Sequence, residues 1–327
     1  MSIESVKGFN EDMTCAPRDN VCFQYEEGGE YEESVAELCS KGFHACEYPL
    51  DCFQHYPPAQ SVYHKVLQDG DIQKSTNNTK IASTKIAIGQ ELDALQLARL
   101  AHEYLLKRPD VKIPFVTESH SGVLNIDSKC SDHVWNWEKA IVGKESVVDA
   151  GHWVKVYGGD RCSISAGDDS EVIVGKCSVA DTGDDGTSIV GINGIAIAGA
   201  KGVALSNFEG ISDAGTRGVA VAKDGKAVAG FRGVAVDIYN GTSSTEERGI
   251  AVSSWRASTG KNGIAIARSR KGLVKGDMGA VLIVMLNDLF SDTDPLVARV
   301  DGTTIKPDTW YKVENGKFVE AEEKEEV

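Results

Sequence analysis

The side chains best suited to chemistry are concentrated in the first sixty residues. Tyr25, His44, Glu47 and Tyr56 combine a phenol, an imidazole and a carboxylate, groups that serve as general acids, bases and charge stabilisers. We take His44, Glu47 and Tyr25 as the catalytic candidates in case the chain is an enzyme. We take Gly42, Phe43, His44 and Tyr56 as the candidate binding residues.

Five of the eight cysteines lie between residues 15 and 52, a density that raises the question of a metal. The pairs 15–22, 39–46 and 46–52 are spaced more widely than the Cys-x-x-Cys pair that is typical of zinc sites. The histidines of residues 109–160 also lack the helical His-x-x-x-His spacing. We therefore predict small buried thiols, no metal and no cofactor.

The order Gly42-Phe-His44 followed by an acidic residue resembles ADP-ribosyltransferase folds. This resemblance implies that Tyr25, Gly42, His44 and Tyr56 line a nicotinamide pocket. It also implies that Glu47, or alternatively Glu91 or Glu118, stabilises an oxocarbenium-like centre. The other interpretation is structural, with His44 and Tyr56 partly buried and hydrogen-bonded and Gly42 serving a turn.

Motifs at both ends of the chain resemble a family of uncharacterised phage- and prophage-encoded proteins. They are Lys7-Gly-Phe9, Gly42-Phe-His-Ala-Cys46 and, near the C-terminus, Lys306-Pro-Asp-Thr-Trp-Tyr311. The resemblance implies a mobile-element origin and brings no established activity.

The elements that must position these residues include a repeat that dominates the middle of the chain. A branched residue followed by alanine recurs after a glycine, as in Gly218-Val-Ala-Val-Ala and Gly263-Ile-Ala-Ile-Ala. The first branched residues are separated by 8 residues and later by 15, 16 and 14. Period-two alternation with corners this short predicts a β-solenoid with two strands and about 15 residues per turn, and about seven turns.

The alternation places the alanines on one face and the branched residues on the other. With the branched residues pointing inward, the alanines form an outward stripe suited to contact with a second copy. The alternatives are burial beneath another segment of this chain and an exposed stripe without a partner. The predicted interface residues are Ala196, Ala204, Ala220, Ala235, Ala251 and Ala265. The phrase also resembles the β-roll heads of trimeric autotransporter adhesins, which implies a coil and allows a homotrimer.

We predict a mainly β fold in which a small α+β domain (1–130) precedes the solenoid (162–278). An aromatic bridge containing Trp135, Trp137 and Trp153 (131–161) caps the first turn, a β-hairpin cap (279–320) closes the last, and an acidic tail (321–327) follows. The convincing helix is 90–107, whose apolar residues recur at three- and four-residue intervals.

Composition excludes some partners. With 34 basic and 49 acidic residues and a net charge of −15, the chain repels phosphate backbones and anionic membrane surfaces. The N-terminus has no apolar signal segment, so we expect a protein of the host cytoplasm or the virion. The leading interpretation is a non-enzymatic structural or binding protein of phage or prophage origin that self-associates and binds an unknown protein. The alternative is an ADP-ribosyltransferase-like effector.

Overall fold

The computed structural model describes residues 2–15, 22–110, 117–118, 123–136, 138–286 and 294–322. The protein is mainly β, with 49% of residues in strands and 6% in helices, and its β-solenoid has about 10 turns of roughly 16 residues. The predicted fold class is thus confirmed, whereas the predicted number of about seven turns is too low. Trp137 and most of the predicted tail lie outside the described residues.

The N-terminal domain, called the head below, is a small antiparallel sheet. Its elements are β1 (Ile3–Asn10), β2 (Thr14–Cys15), β3 (Phe23–Gln24), β4 (Glu30–Glu32), β5 (Phe43–Cys46), a 3-10 helix (Pro49–Gln54), β6 (Ser61–Lys74), β7 (Lys80–Glu91) and α1 (Ala94–Leu106). The strand order is β4-β7-β5-β1-β6, and β6 also pairs with β7, so the sheet closes on itself.

Helix α1 begins four residues later than the apolar periodicity predicts because a side chain caps it. The Asp93 carboxylate accepts the backbone N–H of Gln96 at 2.7 Å, and the Gln96 side chain accepts that of Asp93 at 2.9 Å. This reciprocal capping box satisfies two of the N–H groups that a helix N-terminus otherwise leaves unpaired.

The solenoid contributes two strands per turn, one to each of two sheets. The 13-stranded sheet, called the open sheet, contains β8 (Thr117–Glu118), β9 (Val123–Ile126), β11 (Lys139–Val142), β13 (Lys155–Gly158), β15 (Glu171–Ile173), β17 (Thr187–Val190), β19 (Val203–Phe208), β21 (Val219–Lys223), β23 (Val234–Asp237), β25 (Ile250–Ser253), β27 (Ile264–Ala267), β29 (Val281–Val284) and β30 (Leu296–Arg299).

The 12-stranded sheet, called the docked sheet, lies opposite. It contains β10 (Ser131–Val134), β12 (Val147–Ala150), β14 (Ser163–Ala166), β16 (Val179–Thr182), β18 (Ile195–Ala198), β20 (Ile211–Ala214), β22 (Lys226–Ala229), β24 (Thr242–Thr245), β26 (Arg256–Thr259), β28 (Leu273–Gly276), β31 (Tyr311–Glu314) and β32 (Lys317–Glu320). Successive turns pair in parallel, and the phrases stack in register, as Ala220 does on Ala204 and Ala235.

At the corners glycine is required because a side chain would collide with the neighbouring residues, and not because the glycine itself adopts a positive φ. At one corner Arg217 takes the left-handed conformation (φ 59°) and Gly218 follows it. A Cβ on Gly218 would lie 2.8 Å from the Cβ of Ala214, closer than two carbon atoms can pack. Side chains also link the corners of successive turns, since the Asp168 carboxylate accepts the N–H of Asp184 at 2.9 Å.

The coil begins near residue 123, earlier than the predicted residue 162. Strands β10 to β13, within the predicted aromatic bridge, pair in parallel as ordinary turns. In these turns serine or cysteine takes the place of the corner glycine, and the Ser146 hydroxyl accepts the N–H of Cys130 at 3.1 Å. Trp135 and Trp153 point into solvent, with 69% and 44% of their surface exposed, and therefore do not form a plug.

The C-terminal segment closes the coil as predicted. Strand β30 pairs antiparallel with β29, and β31 pairs antiparallel with both β28 and β32. Asn315 and Gly316 form the hairpin tip with positive φ at both residues, as a two-residue type I′ turn requires.

Candidate functional site

The predicted binding residues lie on and beside β5, in the middle of the head. Gly42 has a φ of +80°, and a Cβ there would lie 2.7 Å from the carbonyl oxygen of Ser83, so both conformation and space require glycine. Phe43 and Tyr25 are each 4% exposed and belong to one aromatic cluster, with ring centroids 6.4 Å apart. These two side chains pack the interior of the head.

His44 is engaged by the loop that precedes it. Its Nε2 accepts the backbone N–H of Cys39 at 2.9 Å, so this nitrogen is not protonated. Burial, followed by the nearby charges of Lys80 and Lys7, lowers the pKa of His44 to about 4, against the opposing effect of hydrogen bonds with the backbone of Glu37 and Gly42. A neutral histidine bound in this way holds a loop in place.

Lys7 is the residue at the centre of this cluster, and the sequence indicated it only as part of a family motif and not as a site residue. Only 5% of its surface is exposed, and its ammonium donates to the carbonyl oxygen of His44 at 3.0 Å. The ammonium also lies 5.2 Å from the centre of the Phe9 ring and 5.4 Å from that of Tyr25. Burial lowers the pKa of Lys7, and the thiols of Cys15, Cys52 and Cys46 partly oppose this shift.

A signal for Lys7 exists in the sequence, because it stands between apolar residues of a strand that is buried along most of its length. A buried amine without a carboxylate partner is a frequent mark of a functional site. Here the carbonyl oxygen of His44 and the rings of Phe9 and Tyr25 interact with the ammonium and offset the free-energy cost of burying a cation.

Glu47 and Tyr56 are not brought together with this cluster. The Glu47 carboxylate pairs with the ammonium of Lys74 at 2.8 Å. Tyr56 packs on Gly8, where an added Cβ would lie 2.7 Å from the Tyr56 Cβ. Successive residues of a strand face opposite ways, so Tyr56 and Lys7 lie on opposite faces of β1.

Of the two other carboxylates considered for the transferase, Glu91 is exposed at the end of β7, and the side chain of Glu118 is outside the described residues. The structure thus gathers Tyr25, Gly42, Phe43 and His44 around Lys7 and leaves Glu47 and Glu91 elsewhere.

The cysteines of the head are free thiols, and within the described residues no group of three or more His, Cys, Asp or Glu side chains is arranged to hold a metal ion. Cys46 and Cys52 are buried, and the Cys52 thiol donates to the carbonyl oxygen of Val6 at 3.1 Å. Its pKa is raised by the hydrogen bond with Cys46 and by burial.

The predicted alanine interface is wrong in its orientation. Ala196, Ala204, Ala220, Ala235, Ala251 and Ala265 are all 0% exposed, because they fill the interior between the two sheets. Small side chains suit this position since the two sheets of each turn lie close together. The branched residues therefore face outward, and those of the open sheet, such as Val219 and Val234, are half-buried at its surface.

The head docks along the outer face of the docked sheet. Leu97, Ala101 and Leu105 of α1 form one buried cluster with Val179 and Ile195 of the solenoid. Several polar contacts flank this cluster, among them one between His102 of α1 and the Ser163 hydroxyl at 3.2 Å. The Tyr48 hydroxyl donates to the carbonyl oxygen of Cys177 at 2.7 Å.

Two ion pairs lie far apart along the coil. Arg161 binds Asp51 at 2.9 Å, and the Asp51 side chain is 3% exposed. Arg256 binds Glu11 at 2.5 Å, and the Arg256 side chain is 7% exposed. The head therefore spans several turns, from β12, whose Val147 belongs to the shared cluster, to β26.

Comparison with known proteins adds one similarity. A family model described as a domain of unknown function, DUF7666, matches residues 3–100, which is most of the head. None of the curated proteins matches this chain, and no solved structure matches it. Among the described residues no helix is long and apolar enough to cross a membrane.

Proposed function

We propose that this chain is a non-enzymatic structural or binding protein of phage or prophage origin, in which the solenoid is a rigid rod and the head is a recognition module. The motifs at the two ends of the chain support the origin, and the host cytoplasm or the virion is the place that this origin implies. The observation that carries the proposal is the docking of the head along the rod.

Docking fixes the head in one orientation through apolar and charged contacts together. One member of each ion pair, Asp51 of the first and Arg256 of the second, is largely shielded from water, and removing its partner leaves a buried charge without compensation. The α1 cluster between them adds buried apolar surface. A head held in this way presents its free surface at a fixed place on the rod.

The ADP-ribosyltransferase interpretation remains the alternative, favoured by the meeting of Tyr25, Phe43 and His44 around Lys7. The geometry supports it less than it supports the rod. A nicotinamide pocket needs accessible walls and a carboxylate, whereas Tyr25 and Phe43 are buried and Glu47 is bound to Lys74.

Incubation with NAD⁺ separates the two proposals. We expect no nicotinamide release above the buffer control and no heat of NAD⁺ binding. The reason is that Tyr25 and Phe43 are buried and Glu47 is paired with Lys74. His44→Ala and Glu47→Gln are the matched variants. Nicotinamide release by the unmodified chain that both variants abolish would overturn the non-enzymatic proposal.

A further inference from the structure

We propose that docking of the head on the rod is coupled to proton uptake by Asp181 and Asp213, so that the head is held more tightly in mildly acidic solution than at neutral pH. Both carboxylates lie on the outer face of the docked sheet, beneath the head. The proposal concerns the contact between these two parts of the chain, and it holds whether or not the head recognises a further partner.

The two carboxylates stand in one column of outward side chains. Asp181 on β16 pairs with Ile197 on β18, which pairs in turn with Asp213 on β20. The carboxylates are therefore two strands apart, at about 9.6 Å. The alternate residues of these strands fill the interior between the two sheets. On a rod without its head, the side chains of this column would face water.

The head covers this column. Helix α1 lies across β12, β14, β16 and β18. Ile195 and Ile211, which point outward beside the column, belong to the apolar cluster that the rod shares with α1. Asp181 and Asp213 are half-buried. Docking thus removes both carboxylates from much of their water.

The groups that face Asp181 do not neutralise it. Arg99 of α1 is exposed and attracts the carboxylate without forming an ion pair, and Asp213 repels it. His102 of α1 bonds instead to the Ser163 hydroxyl at 3.2 Å. No ion pair or hydrogen bond joins the Asp181 carboxylate to another described residue.

Asp213 is surrounded by more acid than base. Lys226 on the neighbouring strand β22 attracts it, whereas Asp93 at the N-cap of α1 and Glu246 in the corner after β24 repel it. Its carboxylate also has no ion pair or hydrogen bond with the part of the chain that the structure describes. A carboxyl group buried in this way favours its neutral form.

The direction of the coupling follows from comparing the docked and undocked states. Burial raises the pKa of both carboxyl groups, and that of Asp181 reaches about 6 against the attraction of Arg99. With the head away, both side chains are solvated and their pKa returns to about 4. The stability that the neutral acids contribute to docking is fully present below pH 4 and is lost as the pH rises through about 6. For Asp181 alone, the docking constant falls about tenfold between pH 5 and pH 8, and Asp213 adds to this factor.

The two ion pairs between head and rod act in the opposite direction. Protonation of Asp51 or Glu11 would remove a charge from the pairs with Arg161 and Arg256 and would loosen the head. A measurement between pH 5 and pH 8 stays above the range in which unperturbed carboxylates take up protons. The coupling to the two buried acids is therefore isolated in this window.

Labelling of a cysteine beneath the head tests the proposal in the full chain. Ile195→Cys places a thiol on the outer face of the docked sheet at a position that is 0% exposed, so a maleimide reaches it only when the head leaves. The labelling rate, located by peptide mass spectrometry and divided by the rate of the unfolded chain at the same pH, measures how often the head is undocked. We expect this normalised rate to be at least about tenfold higher at pH 8 than at pH 5.

Two further variants in the same background assign the protons. Asp181→Asn/Asp213→Asn should give equal normalised rates at the two pH values, because an amide does not titrate. His102→Gln is the matched control, since histidine ordinarily titrates in this pH range. We expect it to keep the tenfold ratio.

Equal normalised rates at pH 5 and pH 8, including no labelling at either, would overturn the proposal. So would a ratio that Asp181→Asn/Asp213→Asn leaves unchanged, or one that His102→Gln removes. Circular dichroism establishes that each variant is folded. Should Ile195→Cys unfold, Ser163→Cys, at a position 2% exposed on the same face, takes its place with the same expected ratio.

Discussion

At the scale of single residues, the head satisfies its buried polar groups locally. Lys7 finds the carbonyl oxygen of His44 and two aromatic rings, and His44 finds the N–H of Cys39. These contacts explain why residue types that are common in catalytic sites have a structural role in the head. The sequence predicted that Gly42, Phe43, His44 and Tyr56 form one surface. It did not show that β1 separates Tyr56 from the other three residues.

Asp181 provides a residue-scale prediction, because it faces outward from β16 beneath α1. Burial, opposed by the charge of Arg99 and reinforced by that of Asp213, raises the pKa of Asp181 to about 6. The charged carboxylate thus disfavours the folded state. The stability that the neutral acid contributes is fully present below pH 4 and is lost as the pH rises through about 6.

Asp181→Asn removes this dependence. We expect the variant to raise the free energy of unfolding by about 1–2 kcal/mol at pH 7 and to leave it unchanged near pH 4. Denaturant unfolding at the two pH values measures both. A variant less stable than the natural chain at pH 7 would contradict the assigned cost of the buried carboxylate.

At the scale of elements, the sequence predicted a coil and its strands but not which side of each strand lies inside. The alternation of valine and alanine defines the two faces of each strand, but it does not show which face is the interior one. The choice depends on the distance between the two sheets, which is a property of the assembled turn. In the early turns larger side chains, among them Val148, Val156 and Ile164, fill the interior instead.

The early turns were missed for a related reason. The glycine that marks the later corners gives way to Ser146, Cys162 and Ser178, whose side chains bond to the neighbouring turn. Glycine in the later turns and serine or cysteine in the early turns occupy the same corner position. This equivalence is visible only when the turns of the structure are superposed.

The orientation of the strands is testable with two neighbouring residues. Ala220→Val adds carbon atoms to the narrow interior, and we expect it to lower the free energy of unfolding by about 1–3 kcal/mol. Val221→Ile adds one carbon outside, and we expect a change within about 0.5 kcal/mol. Equal tolerance at both positions would be inconsistent with alanine inside and valine outside.

At the scale of the whole molecule, the head and the rod form one unit. The head covers the outer face of the docked sheet from β12 to β26.

The measurement that tests this account most directly is small-angle X-ray scattering of the full chain beside the variant Glu11→Ala/Asp51→Ala. We predict that the natural chain scatters as a single rigid elongated particle. The variant, which leaves Arg161 and Arg256 unpaired, should become larger in maximum dimension as the head separates. Identical profiles for the two proteins, or a natural chain that already scatters as two independently moving bodies, would contradict the docked head on which the account depends.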